Sequence, residues 1–143
     1  MSRGALDDLP VWARELIERA PVARLGLLDS DARPRVLPVT FAVAGELLVS
    51  AVDEHKPKRG GELARVRWLR SRDEVALTVD RYDDDWSRLA WVQALGRAEV
   101  LDDPPPGALD ALRAKYAPYR ERPPAGPFVS IRPERFVCWS AAG

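Results

Sequence analysis

Near the start of the chain, Leu9, Trp12, Leu16 and Ile17 recur at helical spacing, so the first element reads as a helix. Asp7 or Asp8 can cap it, Pro10 falls in the first turn, where a missing N–H costs nothing, and Pro21 ends it. The period then drops to two. Val22 to Leu28 is a short apolar run, Asp29-Ser30-Asp31 is a turn cluster, and Arg33 to Val43 alternates. In that alternating stretch Arg35, Leu37, Val39, Phe41 and Val43 share one face, and Val36, Thr40 and Ala42 share the other. Pro34 and Pro38 cannot donate to a ladder, which places this strand at a sheet edge or gives it bulges. Gly45-Glu46 then turns the chain into a third strand, Leu47 to Val52.

Residues 53–61 read as a loop by composition. A helix over Glu62–Arg70 follows, with Leu63, Val66 and Leu69 on one stripe. Glu74–Asp80 and Leu89–Leu101 are the fourth and fifth strands, joined by the polar run Tyr82-Asp83-Asp84-Asp85-Trp86. Pro104-Pro105-Pro106-Gly107 links to a helix over Ala108–Tyr116, and Arg122–Pro127 is another loop. Phe128–Ile131 and Arg135–Trp139 make a final pair of strands around Pro133-Glu134. Strands that cluster in consecutive runs do not fit a doubly wound parallel sheet. The order predicts a mainly antiparallel β-barrel with peripheral helices at its ends and edge.

Composition narrows the classes. At 143 residues and 46% hydrophobic, the chain fits one globular domain over 1–143. Its one cysteine, Cys138, excludes an internal disulfide and sits in a Phe-Val-Cys-Trp run that reads as core. No apolar run approaches the roughly 20 residues that span a bilayer. The first ten residues carry Arg3, Asp7, Asp8 and Pro10 rather than a signal core, so a cytoplasmic location without a membrane partner is expected. Acidic and basic residues balance at 22 each, which argues against a nucleic-acid partner. Only three of the 22 basic residues are Lys, namely Lys56, Lys58 and Lys115, and two of them are near neighbours.

Catalytic side chains are sparse. His55 is the sole histidine, so no multi-histidine metal site forms, and no metal is expected. Nucleophile-elbow, Walker and dinucleotide-fingerprint motifs are absent. If the protein is an enzyme, a cofactor carries the hard chemistry. The strongest local signal is His55-Lys56-Pro57-Lys58-Arg59-Gly60-Gly61. Its cations precede a helix start, where the macrodipole favours negative charge, and its glycines leave amides open to close approach. Together these suit a phosphate; a solvated charged loop is the plain alternative. Arg33 and Arg35 alternate either on a solvent-facing strand side or along a cleft beside that loop. Asp83-Asp84-Asp85 reads as a solvated connection rather than a metal site. Trp86 and Trp91 either fill core or cover a planar ring.

The run Leu25-Gly26-Leu27-Leu28-Asp29, followed by Pro34-Arg35-Val36-Leu37-Pro38-Val39-Thr40-Phe41, resembles the opening hairpin of the pyridoxamine 5'-phosphate oxidase-like superfamily. The segment from Asp53 to Arg59, the run from Val79 to Trp86, and Trp91-Val92 resemble one actinobacterial branch, the F420-dependent flavin/deazaflavin oxidoreductase B group. The likeness runs from about residue 10 to residue 140. It implies a split β-barrel of the FMN-binding type, a homodimer, and cofactor sites in clefts at the subunit interface. It assigns the cofactor phosphate to Lys56, Lys58 and Arg59 and brings Leu37, Pro38, Val39 and Thr40 toward the ring, with Trp86 and Trp91 bordering the site across the interface; Arg35, on the same strand, is a further cofactor-binding candidate. The cofactor implied is coenzyme F420, with FMN as the alternative, and the activity is hydride transfer to an unsaturated or planar small molecule. No residue is assigned a catalytic role. A third reading is a protein that binds a cofactor or tetrapyrrole-like ligand without turnover. No match to the C-terminal substrate segment of pyridoxamine phosphate oxidases is present near Gly143, so vitamin B6 oxidation is not implied. Five Trp supply aromatic surface suited to a dimer interface.

Overall fold

The structure is a computed structural model that describes residues 5–52 and 63–143. Helix α1 spans Val11–Arg19 behind Pro10, and its Ala13 and Ile17 are fully buried. Strands β1 (Ala23–Leu28), β2 (Pro34–Val39), β3 (Ala42–Ala44) and β4 (Leu47–Ala51) follow. Helix α2 is Ala64–Ser71, and β5 (Glu74–Arg81) and β6 (Ala90–Leu101) flank a short 3-10 turn at Trp86–Arg88. Helices α3 (Ala108–Lys115) and α4 (Ala117–Glu121) precede β7 (Phe128–Ser140). No described helix is long and apolar enough to cross a membrane.

The seven strands form one sheet in the order β2-β1-β5-β6-β7-β4-β3, with every neighbouring pair antiparallel. Strands β2 and β3 therefore sit at opposite edges, yet only Thr40 and Phe41 separate them in sequence. A flat sheet would put those edges roughly 29 Å apart, at about 4.8 Å per strand. Three Cα steps span at most about 11 Å. The sheet must curl until its edges meet, which makes it a barrel with a seam beside Thr40-Phe41. The protein is thus a mainly antiparallel split β-barrel with peripheral helices.

Inward-facing Leu25, Leu77, Val79, Val92, Ala94 and Ile131 build the main core, joined by Ile17 of α1 and by Val66 and Leu69 of α2. A smaller cluster joins Ala42, Val49 and Phe128 to Ala108 and Leu112 of α3. Small residues at Ala42, Ala44 and Ala51 let that helix lie close to the sheet. The prolines behave as expected, because β2 is an edge strand.

Four expectations change. Neither Asp7 nor Asp8 caps α1: both lie in a 3-10 turn over Ala5–Asp8, and Pro10 stands just before the helix, which has no side-chain cap. The alternating run Arg33–Val43 is two strands, because the chain leaves one edge of the sheet at Val39 and joins the other at Ala42. The final pair of strands is one strand, β7, that runs through Pro133. A register shift between Leu95 and Gly96 absorbs the irregularity, setting Gly96 opposite Pro133 and Leu95 opposite Arg135. Helix α4 was not expected; Pro118 lies in its first turn, where proline starts helices rather than ending them.

The opposite face of β2, β1, β5, β6 and the end of β7 points outward in register. One row reads Val36, Gly26, Ala76, Leu95 and Arg135. The next reads Pro38, Arg24, Thr78, Gln93 and Val137. Asp80, Trp91 and Trp139 form a third. Val36 and Trp139 are 66% and 46% exposed, so this face carries large apolar side chains in the open.

Candidate seam cavity

A cavity of about 300 Å³ opens at the seam. The end of β2 supplies Pro38, Val39 and the following Thr40. Strand β4 supplies Ser50 and Ala51, with Val52 just beyond it, and α2 supplies Arg65 and Leu69. Tyr119 of α4 lines it as well. Most of the wall is apolar; Thr40, Ser50, Arg65 and Tyr119 are its polar points. This is the usual make-up of a small-molecule site: apolar surface for affinity and a few polar groups for orientation.

The Thr40-Phe41 crossing has no ladder partner, so its backbone groups must be satisfied in another way. Tyr116 does this. The Phe41 N–H donates to Tyr116 Oη at 3.1 Å. The Tyr116 hydroxyl lies 3.0 Å from the Phe41 carbonyl and 2.8 Å from that of Pro21, which share its one proton. Lys115 Nζ donates to the same Phe41 carbonyl at 2.9 Å and lies 3.8 Å from the centre of the Phe41 ring. Thr40 Oγ1 and Tyr119 Oη are 3.2 Å apart. The rings of Tyr116 and Tyr119 meet edge to face at 5.7 Å, and Arg120 Nη1 donates to the Arg113 and Ala114 carbonyls, tying α4 to α3. The α3–α4 corner thus fastens the crossing on which the cavity is built.

Burial lowers the Lys115 pKa from 10.5 to about 8. No described carboxylate pairs with it. Glu18, which lines the neighbouring pocket with Arg14 and Lys115, is bonded to Arg14 instead. Between about pH 8 and pH 10.5 the unfolded chain holds the proton more tightly than the folded one. Stability therefore rises with pH across that window and gains nothing from this group below it. The side chain is half-exposed, so solvent screening leaves about 1–2 kcal/mol of the full shift. Urea denaturation at pH 7.5 and pH 10 is expected to show this rise in the wild type relative to Lys115→Met. Equal pH slopes in the two proteins would contradict it.

The residues marked in the sequence fall in different places. Pro38, Val39 and Thr40 line the cavity. Leu37 packs against the main core instead. Arg35 lies away from the cavity, 3.6 Å from Asp29 Oδ2 and stacked 4.7 Å from the centre of the Trp68 ring. Trp86 is 68% exposed in the 3-10 turn, and Trp91 stands on the outer sheet face opposite Trp139; neither lines the cavity. His55, Lys56, Lys58 and Arg59 lie outside the described residues. The cavity-lining Val52 and Arg65 flank that segment in sequence.

Asp85 accepts from the Ser87 amide and hydroxyl at 3.1 and 2.7 Å, and these bonds hold its carboxyl below the usual range. Asp83 accepts from the Asp85 amide at 2.8 Å. The acidic run is thus a bonded turn, and among the described residues no cluster of three or more potential ligands could hold a metal. Cys138 packs against the main core, as its context suggested. Arg65, Ser50 and Tyr119 were not foreseen. Tyr119 is 79 residues from Thr40 in sequence, and no local pattern signals that meeting.

Solved structures share this fold. A conserved hypothetical protein from Mycobacterium tuberculosis superposes with a TM-score of 0.71 at 15% identity, covering 99% of this chain and 91% of that one. A FAD-binding protein from Mesorhizobium loti gives 0.60 at 21% identity, covering 87% of each chain. An F420 reductase gives 0.59 at 22% identity, covering 90% of this chain and 98% of that one. No curated protein matches the chain significantly. The profile of the pyridoxamine 5'-phosphate oxidase family matches residues 12–137. With nearly the whole chain matched and a split β-barrel observed, the protein belongs to the pyridoxamine 5'-phosphate oxidase family.

Proposed function

We propose that the protein is an oxidoreductase that holds a flavin-type cofactor in the seam cavity, coenzyme F420 in the first instance and FMN as the alternative. The observation that carries this reading is the cavity itself. It is built on Pro38 and Val39 at the end of β2 and on the following Thr40, three of the residues that the family resemblance brings to the ring. Its apolar walls and four polar side chains suit a planar heterocycle with polar edges. Arg65 adds a fixed positive charge, and Lys56, Lys58 and Arg59 in the adjacent sequence are the proposed phosphate ligands. When bound, the cofactor would supply hydride-transfer chemistry toward an unsaturated or planar small molecule. The chain would orient the ring and exclude water from it. The fold's likeness to an F420 reductase and a FAD-binding protein supports a flavin-type ligand.

The proposal includes a homodimer that pairs through the outer sheet face, with Trp91 and Trp139 at the contact. Titration with F420 and, separately, FMN, followed by tryptophan fluorescence, tests the cofactor assignment. Micromolar or tighter binding of one of them is expected. The Lys58→Ala/Arg59→Ala variant is expected to bind it at least tenfold more weakly, by loss of charge-assisted phosphate bonds. Unchanged affinity in that variant would remove the phosphate assignment. Binding of neither cofactor by the wild type would remove the function.

A further inference from the structure

We propose that the Thr40–Tyr119 hydroxyl pair selects the ligand of the seam cavity by reading an imide edge, the carbonyl–N–H–carbonyl run of a planar heterocycle. The inference rests on the flavin-type reading of the same cavity and adds Tyr119 as a specificity-determining contact.

The argument starts from donors and acceptors. Both residues line the cavity, and their oxygens are 3.2 Å apart. A hydroxyl carries one donor and two acceptor lone pairs. Their mutual bond uses one proton, whichever residue donates, and leaves one O–H and several lone pairs unspent. Two adjacent oxygens therefore offer a donor and an acceptor side by side. An imide edge presents the complement, a carbonyl beside an N–H. Arg65, the cavity's cation, has donors only and cannot accept from the N–H.

The pair is also held in place before any ligand arrives. The Tyr119 ring packs edge to face on Tyr116 at 5.7 Å. Thr40 precedes Phe41, whose amide and carbonyl are bonded to Tyr116 and whose carbonyl also accepts from Lys115. Side chains ordered in advance lose little freedom on binding, so their hydrogen bonds are realised as affinity and selectivity. A site built to hydrogen-bond an N–H rejects an analogue that lacks it, because its polar atoms are then left unpaired.

The test uses whichever of FMN and F420 the wild-type protein binds, together with its N3-methylated form, in which the imide N–H is replaced. Tyr119→Phe keeps the ring that packs on Tyr116, and Thr40→Val removes the other hydroxyl at constant shape. The wild type is expected to lose about tenfold in affinity on N3-methylation. Each variant is expected to bind the parent cofactor about tenfold more weakly and to lose less than twofold further on methylation. Should Tyr119→Phe fail to fold, as judged by its thermal transition, Thr40→Val yields the same comparison. Variants that bind like the wild type overturn the proposal, as does an equal methylation penalty in all three proteins; either result leaves the cofactor assignment standing. A wild type that binds neither FMN nor F420 overturns both readings together.

Discussion

Gly96→Ala is expected to destabilise the protein by about 3 kcal/mol, lowering its melting midpoint by roughly 10 °C for a domain of this size. A Cβ at this position would drive into the Arg132 carbonyl, with the Arg132 carbonyl carbon 2.9 Å and the Pro133 Cα 3.0 Å away. All three obstacles are backbone atoms of β7. None can rotate aside, so relief requires the two longest strands to part at their register shift. Overpacking usually costs about 1–3 kcal/mol, and an obstacle made of main chain puts this site at the upper end. Gly26 is the control. Its Cβ would meet Ala76 oxygen at 3.5 Å and Ala76 Cβ at 3.7 Å, ordinary contact distances. Gly26→Ala is therefore expected to change stability by less than about 1 kcal/mol. Thermal and urea melts of the two variants decide the matter. Equal effects would mean that the bulge relaxes freely.

The second large effect concerns the outer sheet face. In the proposed homodimer, Trp139→Glu is expected to separate the two protomers and to weaken binding of the proposed cofactor with it. Trp139 stands directly opposite Trp91 and is 46% exposed, with Val36 more exposed still, while Leu95 and Val137 share their face. Fully burying one such large apolar side chain is worth about 1.5–3 kcal/mol. Under two-fold symmetry each substitution acts twice, and it also places a carboxylate where apolar surface was covered. A loss of at least a hundredfold in dimer affinity follows at about 1.4 kcal/mol per tenfold. Light scattering across a concentration series reads it directly. A wild type that stays monomeric at all concentrations would remove the interface from the proposal. A dimeric Trp139→Glu would move the interface elsewhere on the surface.

Much of the barrel was legible in the chain because its strands alternate against one core. Inward Leu25, Leu77 and Val92 declare themselves by period. Pro34 and Pro38 declare an edge by chemistry. The break at Thr40-Phe41 was not legible: the alternation continues through it unchanged, and only the identity of the neighbouring strand switches. Pro133 misled for the opposite reason. It looks like an end, but the strand opposite carries a glycine that lets the chain pass. In the cavity, Pro38, Val39 and Thr40 came from a motif. Tyr119 and Arg65 came from α4 and α2, whose meeting with β2 is a product of the closed barrel and of no local spacing. Arg35 shows the limit of face arithmetic, because its cation found Trp68 and Asp29 rather than the cleft.

The two-residue crossing at Thr40-Phe41 also governs how the barrel can deform. Covalent bonds join its two free edges at one point, and the Tyr116 and Lys115 contacts fix that point to the α3–α4 corner. Edges tied at one place can separate only by swinging about it, as the leaves of a door swing about a pin. Displacement is then smallest beside Thr40 and grows with distance along β2 and β3. A ligand seated at the pin meets a nearly fixed wall, while the far reach of the same opening adapts to whatever extends from it. Rigid recognition of a ring and tolerance toward its tail can thus coexist in one small barrel, through connectivity alone.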